Sequence, residues 1–254
     1  MKTTAFIAVR TGSSRLPAKA LMPVLGKPML ERMIERVRRS RHIDDVVIAT
    51  THLEGDDRLE ALAQQLGIGC FRGSVDDVLG RMSSAVAASG CERVVELLGD
   101  NPLVHADIID DVIDFHEQGG HDYAVNVTFE QPHAPTDAAR FPIGVRVEVY
   151  WPSVIARCAS DTTDPYHREH STSYIGQHPE LFKLGYLEAI GKWEPLNRPG
   201  LTFAVNYHEN FELVEKVYGE LYLSDPNFTL MAAMDLFNAH PEWARLMEVP
   251  TGSG

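Results

Sequence analysis

The chain has 254 residues, 44% of them hydrophobic, and no long polar or low-complexity tract, so it can bury one large core. Its formal net charge of −13 argues against nucleic-acid or anionic-membrane binding over the general surface. No apolar run nears the roughly 20 residues that cross a bilayer, the N-terminus lacks a signal-peptide pattern, and Cys70, Cys91 and Cys158 are too scattered for a disulfide framework or a cysteine zinc site, so a soluble, cytoplasmic protein is expected.

In chain order, "TAFIAV" (4–9) and "DVVIAT" (45–50) read as buried strands, and residues 28–40 as a helix through Met29, Leu30, Met33, Ile34 and Val37. The rhythm continues with helix 56–66, strand 68–71, helix 76–89, strand 93–99, helix 106–118 and strand 123–127. Alternation of this kind predicts a doubly wound α/β core with a mostly parallel sheet. Residues 128–143 hold three prolines and little periodicity and read as a loop or excursion. Strands are expected at 144–151, 183–189 and 201–207, and an amphipathic helix at 209–222, before a tail rich in Phe, Met and Leu. One domain spans 1–250, with an excursion over about 128–150, and the terminal "TGSG" reads as an expression scar.

The charge is unevenly spread. Residues 1–41 carry ten Lys/Arg against Glu31 and Glu35, leaving thirteen basic and thirty-four acidic residues elsewhere. Arg32, Arg36, Arg38, Arg39 and Arg41 are expected on a solvated helix face. Arg10, Arg15 and Lys19 fall instead in the loop after the first strand, where open α/β sheets bind phosphates. The loop has neither a GxGxxG nor a P-loop glycine-lysine pair. It offers Gly12 for close backbone approach, Ser13 and Ser14 as hydroxyl donors, and three cations for a triphosphate-sized charge, with Pro17 stiffening the turn. Asp100, following a buried strand between Gly99 and Pro102, is a natural magnesium ligand, with helix capping as its alternative role. Ser74 or Asp76 is suited to cap the helix that follows it. Asp164 and Pro165 open another helix, whose His167 and His170 lack a third partner for zinc.

Residues 10–28, R-x-G-S-S-R-L-P-x-K-x-L-x-P-x-x-G-K-P, resemble the signature of the cytidylyltransferases that make CMP-activated sugar acids, including the CMP-ketodeoxyoctonate and CMP-sialic acid synthetases. "FRGSVDDVLGR" (71–81), "GDNPL" (99–103) and "DPYHREHSTSYIGQHPELF" (164–182) resemble blocks of the spore-coat polysaccharide branch of that family, in the same order. The resemblance implies a three-layer α/β/α, GT-A-like fold, a homodimer built partly through the excursion, and Mg²⁺-assisted transfer of CMP from CTP to a small anionic acceptor with loss of pyrophosphate. It places Ala8, Arg10, Gly12, Ser13, Ser14, Arg15, Lys19 and Asp100 around the nucleotide. Arg72 and Ser74 fall near the base, and Arg146, Glu148, His167, Arg168 and His170 near the acceptor. Arg15, Lys19 and Asp100 are the expected catalytic set.

Two positions depart from the family pattern. Asn206 in "FAVNYHEN" stands where relatives carry a second metal-binding Asp, and Arg146 in "GVRVEV" replaces an acid. The metal site expected is therefore Asp100 with Asn206, and the acceptor is expected to be more anionic than an ordinary sugar acid. A sugar-1-phosphate nucleotidylyltransferase, a nucleotide-sugar glycosyltransferase and a noncatalytic nucleotide-binding protein remain as alternatives; fold alone separates none of them.

Overall fold

In the computed structural model, which describes residues 1–247, a seven-stranded sheet is sandwiched between two helical layers. The first half alternates strand and helix: β1 (Thr3–Ala8), a hairpin of β2 (Pro23–Val24) and β3 (Lys27–Pro28), α1 (Met29–Val37), β4 (Asp45–Thr51), α2 (Asp57–Leu66), β5 (Gly69–Gly73), α3 (Val78–Ser89), β6 (Arg93–Leu98), α4 (Ala106–Gly119) and β7 (Tyr123–Asn126). The second half holds β8 (Glu148–Tyr150), α5 (Pro152–Asp161), α6 (Pro165–Glu169), α7 (Ser173–Gln177), β9 (Leu184–Leu187), α8 (His208–Leu221) and α9 (Leu230–Ala239).

Strand order is β5-β4-β1-β6-β8-β7-β9, and β8 runs antiparallel to both its neighbours while the other pairs are parallel. The apolar runs follow from burial on both faces. Ala5 and Ile7 of β1 pack into one core with α1, α2, α4, α8 and α9, whereas Phe6 packs into the other with α3 and α5. The chain leaves β1 in one direction toward β4 and β5 and later returns on its other side at β6. The loops after β1 and β6 thus flank the crevice where strand order reverses.

Three expectations change. The strand expected at 144–151 shortens to Glu148–Tyr150, because Asn126 ends the ladder: its side chain donates to the Val145 carbonyl at 3.1 Å and accepts from Val147 N–H at 2.7 Å. The segment 201–207 is extended but joins the sheet region through single bonds, Phe203 N–H to Ile143 O and Val205 N–H to Asp100 O, rather than as a strand. Gly144, at φ +94°, permits that close approach, since a Cβ there would meet Ala204 N at 2.1 Å. Finally, Arg38, Arg39 and Arg41 are exposed, but Arg32 and Arg36 are buried. Arg36 donates to the Val104 and Leu103 carbonyls and lies 4.2 Å from the Phe228 ring, and Arg32 donates to the Val24 and Leu25 carbonyls. These two brace the hairpin and the loop after β6. The "TGSG" end lies outside the described residues.

Candidate functional site

The loop after β1 is anchored by an acid. Asp56, 1% exposed, accepts from Thr11 N–H at 2.7 Å and Thr11 Oγ1 at 2.6 Å, and also from the hydroxyls of Thr50 and Thr51. Burial favours its neutral form, but these donors outweigh it and lower the pKa, so the carboxylate stays charged. The Thr11 carbonyl accepts from both Ser13 N–H and Ala18 N–H at 2.9 Å, closing the loop at its base. Ala18, at φ +54°, turns the chain directly before Lys19.

Lys19 reaches across the crevice. Its ammonium donates to Asp100 Oδ2 at 2.8 Å and to the Val205 carbonyl at 2.5 Å, and stands 3.4 Å from Asn206 Oδ1. The side-chain oxygens of Asp100 and Asn206 therefore converge on one positive charge. Arg10 and Arg15 are exposed at the rim, Arg15 5.7 Å from the Tyr207 ring. Arg81, 4% exposed, donates to the Ser74 carbonyl at 2.7 Å while its Nε finds no partner. Burial and then the charge of Arg10 lower its pKa, the mark of cations crowded without enough anions. The hollow, about 380 Å³, is lined by Ala8, Ser13 and Ser14 together with these cations, and Asp100 and Glu169 are its acids.

A second hollow of about 410 Å³ adjoins the first, sharing Ala8, Val78, Leu98, Glu169 and His170. Arg146 and Glu148 face each other there, Nε to Oε2, at 3.7 Å, and Glu130 stands 3.7 Å from Arg146 on another side. Burial opposes the charge on Arg146, but Glu148 and Glu130 outweigh it and raise the pKa further above the arginine range. Tyr123 OH and Thr172 Oγ1 both donate to Glu148 Oε1, at 2.5 and 2.8 Å. Deeper, Glu96 accepts from Tyr150 OH at 2.5 Å and Ser171 Oγ at 2.6 Å, and burial, then Glu148, push its pKa up to about 7.

The structure thus brings Ala8, Arg10, Ser13, Ser14, Arg15, Lys19, Asp100 and Asn206 to one hollow, Arg146 and Glu148 to the next, and His170 to both. Gly12 is exposed on the same loop and lines neither hollow. It does not bring Arg72, Ser74, His167 or Arg168 there. Arg72 is held by Asp57, Glu60 and the Thr51 and Leu53 carbonyls, which consume its donors. Ser74 Oγ accepts from Asp77 N–H, and Asp77, neither Ser74 nor Asp76, is the helix cap. His167 is buried against Ser173 Oγ at 2.8 Å, and Arg168 ties Asp77 to the Ala159 carbonyl. The helix after Asp100 is capped by His105. Among the described residues no three His, Cys, Asp or Glu side chains group as a metal-binding cluster.

Arg81 ends the family-like block 71–81 and reads from sequence as a surface residue, but it is buried against the first hollow. Glu96 and Glu130 are not among the sequence candidates; Glu96 carries a signal as an acid inside the otherwise apolar central strand "RVVELLG".

A family model described as cytidylyltransferase matches residues 4–226. The uncharacterized protein MJ1063 of Methanocaldococcus jannaschii is 29% identical over 95% of this chain and 93% of its own length. The spore coat polysaccharide biosynthesis protein SpsF of Bacillus subtilis is 30% identical over 94% of this chain and 95% of its own. Among solved structures, a cytidylyltransferase from Leptospira borgpetersenii superposes with a TM-score of 0.85 at 25% identity, covering 98% of this chain and 99% of that one.

Proposed function

The chain belongs to the cytidylyltransferase family, and from that premise we propose that it transfers CMP from CTP to a small acid, releasing pyrophosphate. The observation that carries this reading is the contact between a cation-lined hollow at the sheet's switch point and a second, polar hollow that shares its wall. A triphosphate lying along Arg10, Ser13, Ser14, Arg15 and Lys19 would present its α-phosphorus toward the shared residues. An acceptor oxygen coming from the second hollow forms the new bond to that phosphorus as the bond to the bridging oxygen of pyrophosphate breaks. The cations neutralise the charge that opposes the approaching oxygen and the charge that builds on the leaving group.

Asp100 and Asn206 are the residues that would hold a Mg²⁺ ion, and they fit one, because their oxygens already meet at a positive charge. When bound, the ion supplies charge neutralisation at the triphosphate. Asn206 is a neutral ligand, so the phosphates and water complete the coordination. On this reading Lys19 leaves its present place between the two side chains and turns to the phosphates. We also propose that the enzyme is a cytoplasmic homodimer of polysaccharide biosynthesis. The segment 128–150, with Phe129 59% exposed upon it, is the part suited to the dimer contact. Among the described residues no helix is long and apolar enough to cross a membrane.

The test is incubation with each nucleoside triphosphate, Mg²⁺ and a panel of keto sugar acids and phosphonates. Pyrophosphate release with CTP preferred is expected. Tight CTP binding without release for any acceptor would point to a noncatalytic homologue.

A further inference from the structure

The second hollow gathers more acidic than basic side chains. Four glutamates line it, Glu96, Glu130, Glu148 and Glu169, against the guanidinium of Arg146 and the imidazoles of His133 and His170, and burial raises the pKa of both Glu96 and Glu130. Two of its charged groups are incompletely used. Glu148 has a side chain only 2% exposed, and its Oε2 accepts no hydrogen bond among the described residues, with Arg146 3.7 Å away as its charged neighbour. Arg146 in turn makes no hydrogen bond with the described residues, approaching both Glu130 and Glu148 no closer than 3.7 Å. A buried carboxylate oxygen and a guanidinium fork without close partners are both open to a ligand.

An anion alone cannot satisfy both. Once an acid group of the acceptor takes the Arg146 fork, Glu148 and Glu130 lose their compensating charge and face a further anion a few ångströms away. The ligand must therefore bring a donor to Glu148 Oε2, and a cationic one replaces the charge that Arg146 gives up. We propose that the acceptor is a zwitterion, an acid that also bears a primary ammonium group, with its carboxylate, phosphate or phosphonate on Arg146 and its ammonium on Glu148 Oε2 with Glu130 beside it. The proposal rests on the CMP-transfer reading and refines its acceptor, which the sequence alone led us to expect as strongly anionic. The raised pKa of Glu96, for which burial and the neighbouring Glu148 are responsible, fits a hollow whose acids outnumber its one guanidinium.

The test is calorimetric binding to the protein loaded with an α,β-methylene analogue of CTP, so that binding is read without turnover. Matched probes are used: 3-deoxy-manno-octulosonate and its 8-amino-3,8-dideoxy counterpart, aminoethyl- and hydroxyethylphosphonate, and the N-acetyl derivative of each amine. The amine of at least one pair should bind at least tenfold more tightly than its hydroxyl and N-acetyl partners. Glu148→Gln should shrink that preference to under threefold, with Glu130→Gln serving if the first variant melts early. Equal affinity within threefold in every pair, tighter binding of the N-acetyl forms, or no binding by any probe overturns the proposal. Amine-selective binding without pyrophosphate release when true CTP is supplied would instead overturn the CMP-transfer reading and leave the zwitterion preference standing.

Discussion

Replacing Asn206 with Asp adds one negative charge where the structure already gathers a cation. Asn206 Oδ1 lies 3.4 Å from the Lys19 ammonium, which also holds Asp100 at 2.8 Å, and the Lys19 and Asp100 side chains are 13% and 24% exposed. At an effective dielectric constant of about 20, a new unit charge at that distance attracts a monovalent cation by ~5 kcal/mol before solvent and desolvation take their share, which leaves about 1 kcal/mol. Lys19 and Mg²⁺ compete for this place. The divalent ion gains about twice what the ammonium gains, so the difference favours the metal by about 1 kcal/mol, on the order of fivefold to tenfold in affinity. We therefore expect Asn206→Asp to lower the Mg²⁺ concentration for half-maximal pyrophosphate release about fivefold to tenfold. The same titration of CTP binding without acceptor separates this effect from repulsion of an anionic acceptor. Asp100→Asn, which leaves two neutral amides, should abolish turnover at millimolar Mg²⁺. A half-saturation point for Asn206→Asp that stays within twofold of wild type in both assays would refute the assignment of Asn206 to the metal.

Lys19→Ala and Arg15→Ala each remove a charge-assisted contact to the triphosphate worth roughly 1.5–3 kcal/mol, so kcat/KM for CTP should fall on the order of 10- to 100-fold. Arg15 is exposed at the rim, so the melting temperature of its variant should move by only a few degrees, whereas Lys19→Ala also frees Asp100 and the Val205 carbonyl and should cost somewhat more; a collapse in step with activity would make the residue structural. Glu96 makes a pH prediction whose sign follows from its raised pKa, about 7 against an unfolded value near 4.5. Its contribution to stability is fully present below pH ~4.5 and is lost as pH rises to about 7, because the unfolded chain ionises first, a loss of about 3 kcal/mol. His116, buried and lowered to about 4, works in the opposite sense, its contribution present above ~6.5 and lost as pH falls. The informative measurement is thus the difference in unfolding free energy between wild type and Glu96→Gln across pH 5–8; a flat difference would show that Glu96 titrates normally.

Periodicity alone located β1, β4 to β7 and α1 to α4, because buried parallel strands and the helices that cover them each obey a local spacing rule, but it did not show the short β2–β3 hairpin inside the loop after β1. The loop cations were equally visible, since Arg10, Arg15 and Lys19 are close in the chain and their crowding needs no fold to be noticed. What the tertiary structure decided were pairings between distant residues. Arg36 looks like a surface arginine until Val104, Leu103 and Phe228 close over it from 67 or more positions along the chain. Arg72, Arg168 and His167 look like ligand contacts until Asp57, Glu60, Asp77 and Ser173 claim their donors. The segment 201–207 alternates like a strand, yet its backbone bonds to the Asp100 loop and to Ile143, a choice made by the space beside the sheet rather than by its own residues. Arg146 shows the difference most clearly. Its sequence context implied a free positive charge for an anion, but folding sets it between Glu130 and Glu148 above Glu96, and charge, unlike periodicity, acts through space without regard to order along the chain.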